Sequence, residues 1–334
     1  MKSNLKKYLI LGSNSFSGST YINNVLKKNV KIIGISRQRE IHEVMLPYSK
    51  SIYLKNFKFI KLDFNKEIEK LLEIVDSFKP EYIVNFAAQG EVRNSWLFPE
   101  QWYRTNCLSL VSFTNKLIGK KFIKKFLNIS TPEVYGSTPI NLRETILYNP
   151  STPYAASKLA GDLHLNTLFK KYNFPIIFSR SANVFGPYQQ LYRIIPRTII
   201  YLKKNKKIDL HGGGKSKRSF IHINDVSNAY NLLIKKGNIG EVYHIAPKTN
   251  LITIKNLVKL ICNKMHYDFK SSTNTIFENY GQDLSYHMNT SKIRNKLGWQ
   301  DKISLSKGID QTIDWVNLNW KIISKMSDQY VHKK

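Results

Sequence analysis

Apolar positions along the chain follow two alternating patterns: short continuous runs, and longer segments in which apolar residues return every three or four positions. Residues 7–11, KYLIL, form a run closed by Gly12, and after GSNSFSG the stretch STYINNVLKKN puts Tyr21, Val25 and Leu26 on one helical face. VKIIGISR predicts a second strand. The succession continues through FKFIKLD (strand), NKEIEKLLEIVDSFKP (helix), EYIVNFAA (strand), PEQWYRTNCLSLVSFTNKLIGK (helix) and KFLNIST (strand). A long helix opens near STPYAASKLAGDLHLNTLFKKYN, and FPIIFSRSANVFG supplies a further strand. Strands that alternate this regularly with helices predict an α/β fold with a doubly wound parallel sheet. Its ligand is expected in the crevice at the carboxyl ends of the strands.

Beyond about residue 186 the regularity is lost, and GPYQQLYRIIPRTIIYLKKNKKIDLHGGGKSKRSFIHINDV mixes prolines, glycines and a basic loop, which implies a second lobe. Two more amphipathic patterns, ITIKNLVKLICNKM and SLSKGIDQTIDWVNLNWKII, follow before a polar end, SDQYVHKK. The expected organisation is a dinucleotide-binding domain over 1–180 and 220–247, a smaller α/β substrate lobe over 181–219 and 248–325, and a flexible tail over 326–334.

Composition changes this picture little. The chain has 334 residues, 42% of them apolar, and no stretch approaches the roughly 20 apolar residues that span a bilayer. The basic start, MKSNLKKYLILGSNSFSG, resembles a signal peptide only as far as YLIL and is better read as a first strand. Two cysteines, Cys107 and Cys262, match no metal spacing, which points to a reducing cytoplasm without disulfide or zinc. The net charge is +29, from 52 Lys and Arg against 23 Asp and Glu, but the lysines are spread along the chain in pairs. That spacing argues against a nucleic-acid partner, while a positive field would still steer a diphosphate toward a cleft.

Three motifs carry candidate chemistry. GSNSFSG places Gly12 and Gly18 in a strand-to-helix turn whose backbone N–H groups can approach a pyrophosphate; Ser15 stands where a middle glycine is usual. At the end of the second strand, Ser36 and Arg37 favour NADP over NAD, because an arginine accommodates a 2′-phosphate. Asp63 lies at the third strand end, suited either to the adenine side of such a site or to capping the helix that follows. PYAASK sets Tyr154 and Lys158 at i and i+4 on one helical face, where an ammonium favours a phenolate. STPEVYG, at the end of the fifth strand, presents Thr131 and Glu133 on either side of Pro132.

These residues together resemble the extended short-chain dehydrogenase/reductase family, and within it the nucleotide-sugar 4,6-dehydratases. The resemblance runs through LILGSNSFSG, VNFAAQG, STPEVYG, PYAASK, SRSANVFGPYQ, GGGKSKRSFIHINDV and YHIAP. It implies a Rossmann-type sheet and a nicotinamide cofactor held at Gly12, Ser15, Phe16, Ser17 and Gly18 in the first turn. Further cofactor contacts are implied at Ser36, Arg37, Asp63 and Phe64, at Phe86, Ala87, Ala88 and Gln89, and at Asn106, Tyr154 and Lys158. It also implies a homodimer formed by helices at roughly 100–118 and 154–171.

For the reaction, the resemblance implies that Tyr154 takes the proton of the sugar 4-hydroxyl, supported by Lys158 and Thr131, while Glu133 abstracts the C5 hydrogen and water leaves from C6. An epimerase would need no such base, and neither an epimerase nor a 5,6-dehydratase of the same family is set aside by sequence. In the thymidine branch an aspartate between threonine and glutamate protonates the leaving hydroxyl, and Pro132 cannot. Substrate contacts are expected at Gln89, Glu91, Ser95, Thr131, Asn183, Arg193 and Arg218. The family's late Arg-Pro-Gly-x-Asp element stands here as NYGQD, with Asn279 in place of the arginine.

Overall fold

A computed structural model of the chain describes residues 5–248, 251–276 and 286–332. Asn279 and its phosphate contact lie outside them, as do residues 333 and 334. Seven strands form one sheet: β1 (Lys6–Leu11), β2 (Val30–Ser36), β3 (Phe57–Lys61), β4 (Tyr82–Asn85), β5 (Lys125–Ile129), β6 (Ile176–Ser181) and β7 (Val242–Ile245). Their order is β7-β6-β5-β4-β1-β2-β3, and every pairing is parallel. The direction of winding reverses between β1 and β4, so the crevice opens where those two strands end.

The strands are apolar on both faces because helices cover both. Alternation along each strand sorts its residues: Tyr8, Ile10, Val84, Leu127 and Ile177 join one cluster, Leu9, Leu11, Ile83, Phe126 and Ile176 the other. Helix α1 (Phe16–Val25) and helix α5 (Ile223–Lys236) cover the first face through Tyr21, Ile22 and Val25 against Ala229, Tyr230 and Leu233. Helices α2 (Ile68–Phe78), α3 (Ser109–Asn115) and α4 (Pro153–Tyr172) cover the second through Leu71, Val75, Leu110, Phe113, Leu165 and Leu168. A π-helical turn at Arg104–Leu108 precedes α3, continuing a helix begun at Pro99–Tyr103.

A third cluster builds the smaller lobe from Ile195, Ile199 and Leu202 of the helix Ile194–Lys203, Leu257, Val258 and Ile261 of Ile254–Lys264, and Ile309 and Val316 of Leu305–Leu318. The FPIIFSRSANVFG run is two strands. It breaks at Ala182 because Asn183–Phe185 leaves the main sheet to pair with Phe220–His222.

Three expectations about boundaries are corrected. Val44 and Met45, from the stretch after β2, pack in the smaller lobe's core. Met288, Ile293, Leu297 and Trp299, assigned by sequence to the smaller lobe, pack in the first-face cluster instead, where Lys292 Nζ also donates to Val242 O (2.8 Å) on the outer strand β7. The tail expected to be flexible over 326–334 is laid against the body as far as residue 332. Lys204 pairs with Asp328 at 3.7 Å, Tyr330 meets the Tyr192 ring edge-on at 5.2 Å, and His332 stacks on Phe98 and Trp102. Its polar composition concealed two rings that find partners far away in sequence.

Candidate active site

The first turn is shaped by Gly12, whose φ of +77° favours glycine. A Cβ there would stand 2.7 Å from Ala87 N and Phe86 C, so the turn presses directly on the end of β4. Ser15 caps α1: its hydroxyl accepts from Gly18 N at 3.1 Å and donates to Gly12 O at 2.7 Å. This explains why a serine serves where a glycine was expected. The N–H groups of the first helical turn, at Phe16 and Ser17, thereby open on the crevice with the positive end of the helix dipole behind them.

Asn14 joins this turn to the end of β2. Its N–H donates to Ser36 Oγ (3.0 Å), Ser13 Oγ lies 3.4 Å from the same hydroxyl, and Asn14 Nδ2 donates to Gln38 O and Arg39 O. Ser36 is therefore engaged inside the protein. Arg37 lines a cavity of about 180 Å³ with Asp63, Lys66, Gln89, Gln101 and Arg104. Asp63 Oδ1 accepts from Asn65 N at 2.9 Å in the turn before α2, whose N-cap position is Glu67 and not Asp63, which corrects the helix-capping alternative. Arg104 and Lys66, not anticipated from sequence, add positive charge to this cavity; their signal was only two basic residues among many.

Not every expected cofactor residue offers its side chain. Phe64 packs edge-on against Phe113, and Phe86 packs with Tyr21 and Tyr230, so both rings are spent on the core. Ala88 is exposed and Ala87 half-buried beside them. Gln89 is fixed by Asn106, whose Oδ1 accepts from Gln89 N (2.9 Å) and whose Nδ2 donates to Gln89 O and to Ser157 Oγ. Asn106 thus ties the β4 loop to α4.

The second turn follows β5. Thr131 caps a short 3-10 turn, Pro132–Tyr135, accepting from Glu133 N at 3.3 Å, and Gly136 ends it at φ +68°. Opposite stands the start of α4, which Thr152 caps with Pro153 behind it. Lys158 is 5% exposed and donates to Ile129 O at 2.7 Å, directly below Thr131. Tyr154 lies one turn before Lys158 on α4. Burial raises the Tyr154 phenol above its ordinary value and the Glu133 carboxylate adds to this, while a hydrogen bond from Thr131 and the Arg193 guanidinium pull it back. Burial lowers Lys158, and the carboxylate of Asp162, one turn further along α4, opposes that. Thr131 and Glu133 are therefore set against the Tyr154 phenol, while Lys158 reaches Ile129 O at the end of β5.

The expected substrate residues divide. Arg193, exposed, precedes the helix Ile194–Lys203 without capping it through its side chain, and its guanidinium lowers the Tyr154 phenol; Asn183 is exposed on the strand leading from β6. Arg218 is buried, with NH1 donating to Lys217 O at 2.8 Å. Glu91 caps a short helix, Val92–Leu97, and its carboxylate faces Tyr330 of the tail, as do Arg37 and Arg193. Ser95 is corrected: it is 0% exposed and gives its hydroxyl to Val92 O at 2.6 Å, so it faces its own helix and not the crevice. A larger cavity, 410 Å³, is lined by none of the expected site residues. Among the described residues no group of His, Cys, Asp and Glu gathers as a metal site, and no helix is long and apolar enough to cross a membrane.

Comparison with known proteins bears on this geometry. The pattern of the family described as GDP-mannose 4,6 dehydratase matches residues 9–312. The chain is 29% identical to the human dTDP-D-glucose 4,6-dehydratase, over 97% of this chain and 95% of that protein. The solved structure of a Bacillus anthracis dTDP-glucose 4,6-dehydratase in complex with NAD superposes with a TM-score of 0.84 at 26% identity, covering 95% and 98% of the two chains. A Thermotoga maritima UDP-glucose 4-epimerase superposes almost as well, with a TM-score of 0.83 at 24% identity and 94% and 99% coverage. Fold alone does not separate the two activities.

Proposed function

The chain belongs to the GDP-mannose 4,6 dehydratase family, and from that premise we propose that it is a hydro-lyase that converts a nucleoside-diphosphate hexose to the 4-keto-6-deoxy sugar. The feature that carries the reading is Glu133, in the turn after β5, whose carboxylate pushes the Tyr154 phenol up. A base at that place has no use in simple epimerisation at C4. A nicotinamide dinucleotide, held at the Gly12–Gly18 turn, would supply the hydride acceptor for C4 and the hydride donor for C6.

The protein's own part begins with Tyr154, which takes the proton of the 4-hydroxyl. Thr131 hydrogen-bonds the phenol, and Lys158, anchored on Ile129 O one turn further along α4, is assigned the support of the phenolate. Oxidation at C4 acidifies C5, and Glu133 takes that hydrogen as a proton. Pro132 carries no proton, so Glu133, now protonated, returns its proton to the 6-hydroxyl as water leaves. The same carboxylate serves as base and then acid in the elimination, and as the hydride reaches C6 the proton that Tyr154 took from the 4-hydroxyl is returned through solvent to C5, which restores the phenolate.

The dinucleotide site is argued from the first turn. Gly12, Ser15 and Gly18 hold the N-terminus of α1 open toward the crevice, which suits a pyrophosphate. Our reading of the cofactor is NAD: the Bacillus anthracis relative holds NAD, and the Ser36 hydroxyl is already engaged by Asn14 and Ser13. Arg37 favours the second reading, NADP. Extraction and mass analysis of dinucleotide from the purified protein decides between them. Arg193, Arg218, Asn183, Gln89 and Glu91 are proposed to face the nucleotide sugar. The Arg193 and Arg218 guanidinium groups suit its diphosphate.

A homodimer and a cytoplasmic setting complete the proposal. Leu108, Tyr103 and Leu163 are exposed on the helices that sequence expected to pair with a second copy, and light scattering tests this. Both cysteines are free. The activity is tested by incubating the protein with UDP-, GDP-, CDP- and dTDP-hexoses and following product mass. Loss of one water without net change in nicotinamide absorbance is expected; a product of unchanged mass would mean an epimerase.

A further inference from the structure

Beneath the reacting residues lies a charged pair that the mechanism above does not use. Asp162 and Arg180 are 4% and 1% exposed and meet at 3.1 Å through Arg180 NH2 and Asp162 Oδ2. A buried ion pair is a poor source of net stability, because desolvation consumes most of its attraction. What the pair touches is more informative.

Asp162 Oδ2 also accepts from Ser130 Oγ at 2.5 Å, and Oδ1 accepts from Asn128 Nδ2 at 3.0 Å; both donors stand at the end of β5, just before Thr131. Asn128 Oδ1 in turn accepts from Asn85 Nδ2 (2.9 Å) at the end of β4, and Asn85 Oδ1 from Ala87 N (3.1 Å), beside the proposed cofactor. On the other side, Arg180 NH1 donates to the Tyr135 hydroxyl, and its guanidinium lies over the rings of Tyr135 and Tyr148 at 4.7 and 5.1 Å. Tyr135 closes the turn that carries Glu133, and its hydroxyl meets His244 Nε2 of β7 at 2.9 Å. Tyr154, Lys158 and Asp162 fall at i, i+4 and i+8 on α4 and so lie in one row.

We propose that Asp162, clamped by Arg180, is the positioning residue that locks the helix bearing Tyr154 and Lys158 to the strand end bearing Thr131 and Glu133. It touches neither substrate nor cofactor, yet both walls of the site are hung from its two oxygens. The inference rests on the dehydratase reading. Hydride removal depends on Tyr154 and C5 deprotonation on Glu133, so a residue that fixes both walls must slow both steps together. A slip of about 1 Å between such groups costs on the order of 100-fold.

The test measures, for wild type, Asp162→Asn and Ser130→Ala, the rate of transient nicotinamide reduction and the rate of C5 hydrogen exchange with solvent, beside substrate KM and melting temperature. Asp162→Asn keeps the shape and removes the charge; both rates should fall by a similar factor, on the order of 100-fold, with KM within about threefold. Ser130→Ala removes one hydrogen bond from an intact pair and should lower both rates by roughly tenfold at a near-native melting temperature. It decides the matter if Asp162→Asn does not fold. A merely structural role predicts lower melting temperatures with unchanged rates in the folded fraction, and that result overturns the proposal. So does a fall in only one of the two rates. A wild-type chain inert toward every nucleoside-diphosphate hexose overturns the dehydratase reading and this inference with it, whereas active wild type with unaffected variants overturns the inference alone.

Discussion

Two turns at the carboxyl ends of parallel strands do different work. The first, GSNSFSG after β1, is glycine and serine, and it acts through its backbone: Gly12 at φ +77° lets the chain press on Ala87, and Ser15 caps α1 so that the helix faces the crevice. The second, STPEVYG after β5, is stiffened by Pro132 and acts through side chains that Thr131, Arg180 and His244 hold in place. A site that binds by backbone shape is sensitive to where a Cβ is added. A site that reacts through side chains is sensitive to which functional group is removed and to what fixes it.

The largest effect that probes this contrast is expected at the second turn. Tyr154→Phe should lower turnover by roughly a hundred- to ten-thousand-fold with dinucleotide content unchanged, read from product mass and from cofactor extracted from the protein. Loss of the dinucleotide in this variant would blur the distinction between the turns.

Acid should loosen the second turn before the first. Burial pushes His222 down to about 4 and, helped by Arg180, His244 down to about 3, against about 6.5 for an unfolded histidine. Below pH 6.5 the unfolded chain therefore binds more protons than the folded one. The contribution is fully present above that pH and is lost as pH falls toward 4 for His222 and toward 3 for His244, on the order of a few kcal/mol in all. Urea unfolding across pH 7.5 to 4 measures it. Since His244 holds Tyr135 and takes up its proton only near pH 3, hydrogen exchange carried down to that pH should report the second turn opening before the first.

Gly12→Val is the converse. The added atoms meet Ala87 and Phe86 in a conformation that side chains avoid, so about 1–3 kcal/mol of stability and the bound dinucleotide should both be lost. A folded, cofactor-replete variant would break the account of the first turn. The finest effect is a movement of the pH profile. Because Glu133 raises the Tyr154 phenol and Arg193 lowers it, Glu133→Gln should shift the rising limb of nicotinamide reduction to lower pH and Arg193→Ala to higher pH. Movement in the same direction would contradict the assigned charges.

Much of this was legible in sequence because it depends on local pattern. The strand-helix alternation, the glycine turn and the Tyr154–Lys158 spacing are each contained within a few residues, and the structure places them as expected. What was hidden depends on pairing across the chain. The aromatic contacts of Tyr330 and His332 sit in a stretch whose composition is polar, and Trp299 donates to Asp225 O, 74 residues away. Phe64 and Phe86 looked like cofactor residues by place in the motif, but their rings were already committed to the core. The Asp162–Arg180 pair left a trace: a carboxylate two turns beyond Tyr154 on the same helical face, and one charge inside the apolar strand IIFSRS. Neither position could be linked to the other without the fold.

The central claim is that Glu133 is the base that makes this site a dehydratase. Its direct test follows hydrogen exchange at C5 of the nucleoside-diphosphate hexose in deuterium oxide, with wild type and Glu133→Gln. Glu133→Gln is expected to retain its dinucleotide and still show nicotinamide reduction on adding substrate, yet place no deuterium at C5. Exchange at the wild-type rate in that variant would contradict the account.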